Sequence, residues 1–265
     1  DITKERKVII MRVVTPKEMN AADEIMSRKY MMPTSLLMEN AGAAVATYLS
    51  ENYSKSNKIL FVTGSGNNGG DGWAAARMLF AKGYNVSVFS LCSESRMKEL
   101  TLTNFKIAEQ FGIDYSLDVT AEELEQNIIR YSIVVDAILG TGITGTVNDN
   151  TRKIIEVINA SGKNVISIDV PSGINAESGA VCGTAIKADT LIVLGTVKQG
   201  LLFCPAKYCY GKMIVDSISI PESVYNETSD YKAVYNNKEI ASMLYPRNSA
   251  SHKGSYGKLG IIAGS

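Results

Sequence analysis

Histidine is almost missing from this chain: 265 residues contain one, His252, close to the C-terminal end. Chemistry in the body of the molecule therefore cannot use the commonest general acid or base, and carboxylates, lysines or an ion must serve instead. Cysteine is sparse as well. Cys92, Cys182, Cys204 and Cys209 form no C-x-x-C pair, which argues against sulfur-bound metal and for reduced thiols in a cytoplasmic protein. Net charge is zero, 27 acidic against 27 basic residues, so electrostatics implies neither nucleic acid nor an anionic membrane as partner. No apolar run approaches the roughly 18 residues that cross a bilayer, and the opening DITKERKVII lacks the apolar stretch of a signal peptide. Internal repeats and low-complexity tracts are absent too.

An apolar content of 45% is enough for a substantial core, and the length suits one large α/β domain. Residues 1–10 read as an extension or tag remnant. At Met11 a helix entry is expected: Thr15 as N-cap, Pro16 at the first helical position, Glu18 reaching back, then Met19, Ala22, Met26 and Tyr30 on one face. After Pro33, Leu37, Ala41, Ala44, Val45, Tyr48 and Leu49 repeat the helical spacing, so two helices are expected ahead of the first strand. From Lys58 onward short β-rich runs (KILFVT, NVSVFSL, SIVVDAIL, NVISIDV, DTLIVLG, KMIVDSI) alternate with helical patterns. Near-continuous apolar strands separated by helices mean a mostly parallel sheet covered on both faces, a doubly wound α/β fold. The domain is expected to span 11–245, closing with a short helix at 238–244. Residues 246–265 then begin something new, a polar linker and the strand-like LGIIAG. The expectation is a chain that forms the front of a longer protein or carries a short tail cut from one.

Between strand and helix lies GSGNNGGDG, Gly64 to Gly72, which fits G-x-G-x-x-G in the context that motif requires; backbone N–H groups at the helix start would hold a phosphate. No acid follows the second strand where one would bind an adenosine ribose, since FSLCSES reaches Glu94 only late. Three aspartates stand at or just past strand ends: Asp71, Asp136 in VVDAILGTGITG, and Asp169 in IDVPSG. In an open parallel sheet those ends form the ligand crevice, so the three are expected on one rim. Two carboxylates about 5 Å apart repel by roughly 3 kcal/mol at an effective dielectric of about 20, which a raised pKa, a cation or a hydroxyl-rich ligand would offset. Capping of separate turns is the plainer reading of each. GTGITGT, Gly140 to Thr146, adds a second glycine-rich turn at the same edge.

Six ordered segments, TPKEMNAAD, LLMENAGAAVA, VTGSGNNGGDGWAAARML, VVDAILGTGITG, IDVPSGINAESG and KQGL at 198–201, closely resemble those of the NAD(P)HX epimerase family, the YjeF N-terminal domain. The resemblance implies a Rossmann-like α/β/α sandwich that interconverts the R and S epimers of hydrated NADH and NADPH (NADHX, NADPHX). By the same resemblance Asn67, Asn68, Gly69, Gly70 and Asp71 bind the dinucleotide. Gly140, Thr141, Gly142, Ile143, Thr144, Gly145, Thr146 and Asp169 contact it, and Asn68, Asp136 and Ser172 ligate a potassium ion. Asp136 or Asp169 is then the catalytic carboxylate, whether the hydroxyl leaves and returns or the ring opens. Many relatives carry a basic residue in the loop after Asp136; here Thr144 and Gly145 stand there, and Lys198 is the candidate replacement. The stretch from Arg247 resembles the start of an ADP- or ATP-dependent NAD(P)HX dehydratase, often fused behind the epimerase. The leading helices are candidates for a homodimer contact. The competing readings are a non-catalytic nucleotide-binding or scaffold module on the same fold, and a hydride-transferring oxidoreductase, against which the missing ribose acid counts.

Overall fold

The computed structural model describes residues 11–228, 232–235, 240–241, 250–252, 254 and 260. Most of the helix expected at 238–244 and of the strand-like LGIIAG lies outside them. The chain divides into a large compact unit, Arg12–Lys232, and a second made of 1–11 with 233–265. In the second, described residues include a two-residue strand, Ala233–Val234, and the sole histidine, His252, whose Nδ1 accepts the Gly254 N–H at 3.1 Å.

The first described element is a strand, β1 (Met11–Val14), not a helix. This corrects the expectation of two helices ahead of any strand. β1 is only four residues long and pairs in parallel with β8 (Val197–Lys198), nearly two hundred residues away, so nothing local announces it. Helix α1 (Pro16–Lys29) follows as anticipated. Thr15 Oγ1 accepts the Glu18 N–H at 3.1 Å, and Glu18 Oε2 accepts the Thr15 N–H at 2.6 Å, satisfying two donors the helix itself leaves open. Met19, Ala22 and Met26 are buried, whereas Tyr30 ends the helix exposed. Helix α2 (Thr34–Asn52) completes the leading pair.

Then come β2 (Lys58–Thr63), α3 (Asn67–Ala81), β3 (Asn85–Ser90), α4 (Glu99–Gln110), β4 (Asp114–Ser116), α5 (Ala121–Ile128), β5 (Ile133–Ala137), α6 (Asp149–Ala160), β6 (Asn164–Ile168) and β7 (Ala188–Leu194). After β8 the unit ends with β9 (Tyr210–Asp216) and a short helix, α7 (Glu222–Tyr225). Seven strands form one sheet in the order β4-β3-β2-β5-β6-β7-β9, and each described pairing is parallel. Every residue of β5 is buried and so are five of the six in β2, as a sheet covered on both faces requires. From β2 the chain runs outward through β3 to β4, then returns to β5 on the other side of β2. With right-handed crossovers, that reversal puts α3 and α6 on opposite faces. Helices α2, α3 and α4 pack side by side on one of them.

One close approach fixes the depth of α3. A Cβ on Gly42 of α2 would lie 2.6 Å from the Ala74 Cβ, so α2 can approach α3 closely there only as glycine. Tight seating of α3 also explains its early start. The spacing predicts a helix from Asp71, but α3 already begins at Asn67, with Gly69 and Gly70 in its first turn.

Candidate active site

A cavity of about 760 Å³ opens where the strand order reverses, at the carboxyl ends of β2 and β5. Open α/β sheets bind ligands at such a reversal because the two flanking loops diverge there. The first loop is pinned by close packing. A Cβ on Gly64 would stand 2.0 Å from the Ile138 carbonyl oxygen, and one on Gly69 would stand 2.0 Å from that of Gly64. Gly66 differs: it is the N-cap of α3, receives no side-chain cap, and has nothing within 4 Å of where its Cβ would be. The open N–H groups of that first turn therefore face free space and suit an anion. Asn67, Asn68 and Asp71 line the cavity, while Gly69 and Gly70 pack into protein. From the second loop Gly140, Thr141, Gly142, Ile143, Thr144 and Thr146 line it; Gly145, in a left-handed turn at φ +75°, does not.

Asp136 lies beneath this cavity, fully buried, and is not part of its lining. Its Oδ1 accepts from Ser172 Oγ at 2.5 Å and the Ile138 N–H at 3.3 Å; its Oδ2 accepts from Ser167 Oγ at 2.7 Å and the Ser172 N–H at 2.9 Å. Burial pushes the carboxyl above the ordinary range, and these hydrogen bonds oppose the shift. The Leu139 N–H donates to Ser172 Oγ at 2.8 Å, and Asn68 Nδ2 donates to the Leu139 carbonyl at 3.0 Å. Asn68 and Ser172 thus meet at Leu139, and Asp136 joins them through Ser172. Asn68 Oδ1 is buried with no hydrogen-bond partner, an expensive state for an amide oxygen. Among the described residues no group of three or more His, Cys, Asp or Glu could hold a metal ion, so any cation here would meet mixed oxygens.

The opposite wall is charged. Asp71 sits inside α3, beyond the Gly66 N-cap, which removes the capping explanation for it. Asp169 takes a left-handed backbone, φ +66°, at a cost of about 1–2 kcal/mol. Its N–H donates to the Ile192 carbonyl at 2.7 Å, and its Oδ1 accepts the Leu194 N–H at 3.2 Å and the Lys198 ammonium. Lys198 is 1% exposed and also donates to the Leu194 carbonyl at 2.6 Å. Burial and then the Asp169 charge raise the Asp71 carboxyl well above its usual range, with Lys198 opposing and Asp23 adding. Asp23, from α1, is pushed up to about 6 by burial, Lys198 opposing and Asp169 adding. Its Oδ1 is buried without a partner.

Lys198 is thus paired with Asp169, and its charge also acts on Asp23 and Asp71 at this end of the cavity. Asp71 and Asp169 do meet here, and Asp136 is linked to the same loops from below through Ser172. Sequence reasoning missed Asp23, which reads as one more polar position on α1. From the sequence, Lys198 is a candidate only to replace a loop charge. A lysine inside the apolar run around β7 and β8 was the available signal, since buried lysines are almost always paired.

Residues 34–200 match the family described as YjeF-related protein N-terminus. Over 223 residues the chain is 34% identical to an NAD(P)H-hydrate epimerase of Leuconostoc gelidum subsp. gasicomitatum, covering 83% of this chain and 97% of that one. It is 36% identical over 257 residues to the bifunctional NAD(P)H-hydrate repair enzyme Nnr of Thermofilum pendens, covering 96% of this chain and 48% of that one. The crystal structure of the yeast protein YNL200c matches with a TM-score of 0.69 at 23% identity, covering 86% of this chain and 98% of that one, a likeness of fold. The fold is that of a doubly wound α/β domain with its cavity at the reversal of strand order. More narrowly, the chain belongs to the YjeF-related N-terminal family of NAD(P)H-hydrate epimerases. It spans about half the length of the bifunctional relatives it matches.

Proposed function

We propose that this chain interconverts the R and S epimers of NADHX and NADPHX, as the epimerase part of a longer repair enzyme whose remainder is an NAD(P)HX dehydratase. The observation that carries the reading is the shared cavity: an anion-binding helix start at one wall and a carboxylate–ammonium cluster at the other. The names of the relatives point to the same substrate.

On this reading the diphosphate rests on the first turn of α3, and the hydrated ring lies against Asp71 and Asp169, with the buried Lys198 behind Asp169. The reacting carbon bears the hydroxyl and adjoins the ring nitrogen. Asp71, whose hold on its proton is strengthened by burial and then by the Asp169 charge, gives that proton to the hydroxyl. Water leaves as the nitrogen lone pair forms an iminium. Water then adds to the other face, with Asp169, held by Lys198, receiving its proton, and that proton passes back to Asp71 through solvent to reset the pair. Acid–base help of this kind contributes about 10²–10⁴ in rate. Asp136 does not touch the ring. It positions Ser172 and the Leu139 peptide under the loops.

Potassium fits the oxygens of Asn68, Asp136 and Ser172, the orphaned Asn68 Oδ1 above all, whereas magnesium would demand a stricter octahedron. When bound it supplies positive charge beneath the anion-binding loop. The test is conversion of NADHX enriched in one epimer, followed by chromatography or NMR with and without potassium. Acceleration over the spontaneous rate is expected; an unchanged rate sinks the reading.

A further inference from the structure

We propose that the end of the cavity beside β3 binds a 2′-phosphate through Lys98 and Arg96, so that this chain prefers NADPHX to NADHX. The inference rests on the epimerase reading above and adds its substrate preference. In doubly wound nucleotide folds the adenosine ribose lies over the carboxyl end of the second strand, where an acid holds a 2′-hydroxyl or a cation takes a 2′-phosphate. That strand here is β3, and Leu91 and Cys92 carry the chain from it into the cavity wall.

The acid is absent from that place. Glu94, the first one beyond β3, is not part of the lining, and Lys106 holds its carboxylate at 2.8 Å. Arg96 and Lys98 are part of the lining. The Lys98 N–H donates to the Ser65 carbonyl at 2.9 Å, which ties this loop directly to the turn that would hold the diphosphate. The Lys98 ammonium forms no ion pair or hydrogen bond among the described residues. Arg96 gives Nη2 to Asp118 and Nε to Ser93 at 3.3 Å, so Asp118 takes part of its charge and Lys98 is the principal contact.

Along the cavity, in sheet order, come the cations after β3, the start of α3 after β2 and Asp169 after β6. A dinucleotide phosphorylated on its adenosine ribose matches that order in one direction only. The missing acid, which weighs against an NAD-type pose, is what a 2′-phosphate needs.

The test uses the 265-residue chain and compares dissociation constants for NADPHX and NADHX by calorimetry, with 2′,5′-ADP and 5′-AMP as fragment probes. A preference of about tenfold for the 2′-phosphorylated member of each pair is expected, the scale of one charge-assisted contact. It should fall to about one in Lys98→Ala and reverse in Lys98→Glu, with Arg96→Ala intermediate. Equal affinities in the unaltered chain overturn the inference but leave epimerisation standing. A ratio that survives Lys98→Glu, or a loss shared equally by both members, also overturns it. Failure of either hydrate to bind or epimerise removes the function itself.

Discussion

The ammonium of Lys198 donates to the carboxylate of Asp169, and both groups stand at the floor of the cavity although 29 positions separate them in the chain. Asp169 has a left-handed backbone that most residues resist, and it lines the cavity. Sparsely populated backbone states persist where the surroundings over-determine them, and sites of chemistry are where they collect.

Asp169→Asn tests the charge without disturbing that geometry, because asparagine tolerates left-handed φ and keeps an oxygen for Lys198 and Leu194. Epimerisation should fall by about 10²–10⁴. Far-ultraviolet circular dichroism should stay native. Full activity would remove this carboxylate from the mechanism.

Asp23 should make the folded state lose stability as pH rises. Its carboxyl is raised in the fold from 3.8 to about 6, so between those values the native state binds more protons than the unfolded chain. Stability then declines as pH rises through that window and is flat beyond it. Asp71, raised in the same direction, adds to the slope. Asp23→Asn should gain on the unaltered protein above pH ~6, by at most about 3 kcal/mol. Urea unfolding across that range decides it; curves that stay parallel would show that Asp23 ionises as freely as in the unfolded chain.

Two glycines three positions apart should fail in different ways. Gly69→Ala drives a methyl to 2.0 Å from the Gly64 oxygen and should destabilise the fold by about 1–3 kcal/mol or more, as overpacking does. Gly66→Ala meets nothing and has compatible dihedrals, φ −87° and ψ −176°, so the melting temperature should hold. Its methyl would occupy the anion space, and affinity for NADP⁺ should drop. A Gly66→Ala protein that binds as before would relocate the diphosphate.

Potassium chloride, compared with tetramethylammonium chloride at equal ionic strength, should raise the melting temperature of the unaltered chain but not of Asn68→Ala. The difference follows from mass action on an ion bound only by the folded state. Identical melting in both salts would count against the ion.

Much of this arrangement was legible in the sequence. Thr15 to Glu18 announce α1 because capping is local chemistry, and the buried strands announce a parallel sheet because both faces are covered. Gly64 to Asp71 and Gly140 to Thr146 could be assigned to one edge from topology alone. What stayed hidden depends on distance along the chain. β1 gains its partner at Val197 and Lys198, Asp23 gains its meaning from Asp169, and the start of α3 is decided by packing at Gly69 rather than by helix propensity. The burial of Asp136 beneath Ser172 was likewise hidden in the sequence, since it is a property of the assembled sheet.

The seclusion of the Lys198 amine offers a built-in reporter. Acylating reagents should mark surface lysines at once and reach this one only when the unit opens. The mass of the single peptide that carries it would then time the breathing of the molecule, and a tight-fitting dinucleotide should slow that clock.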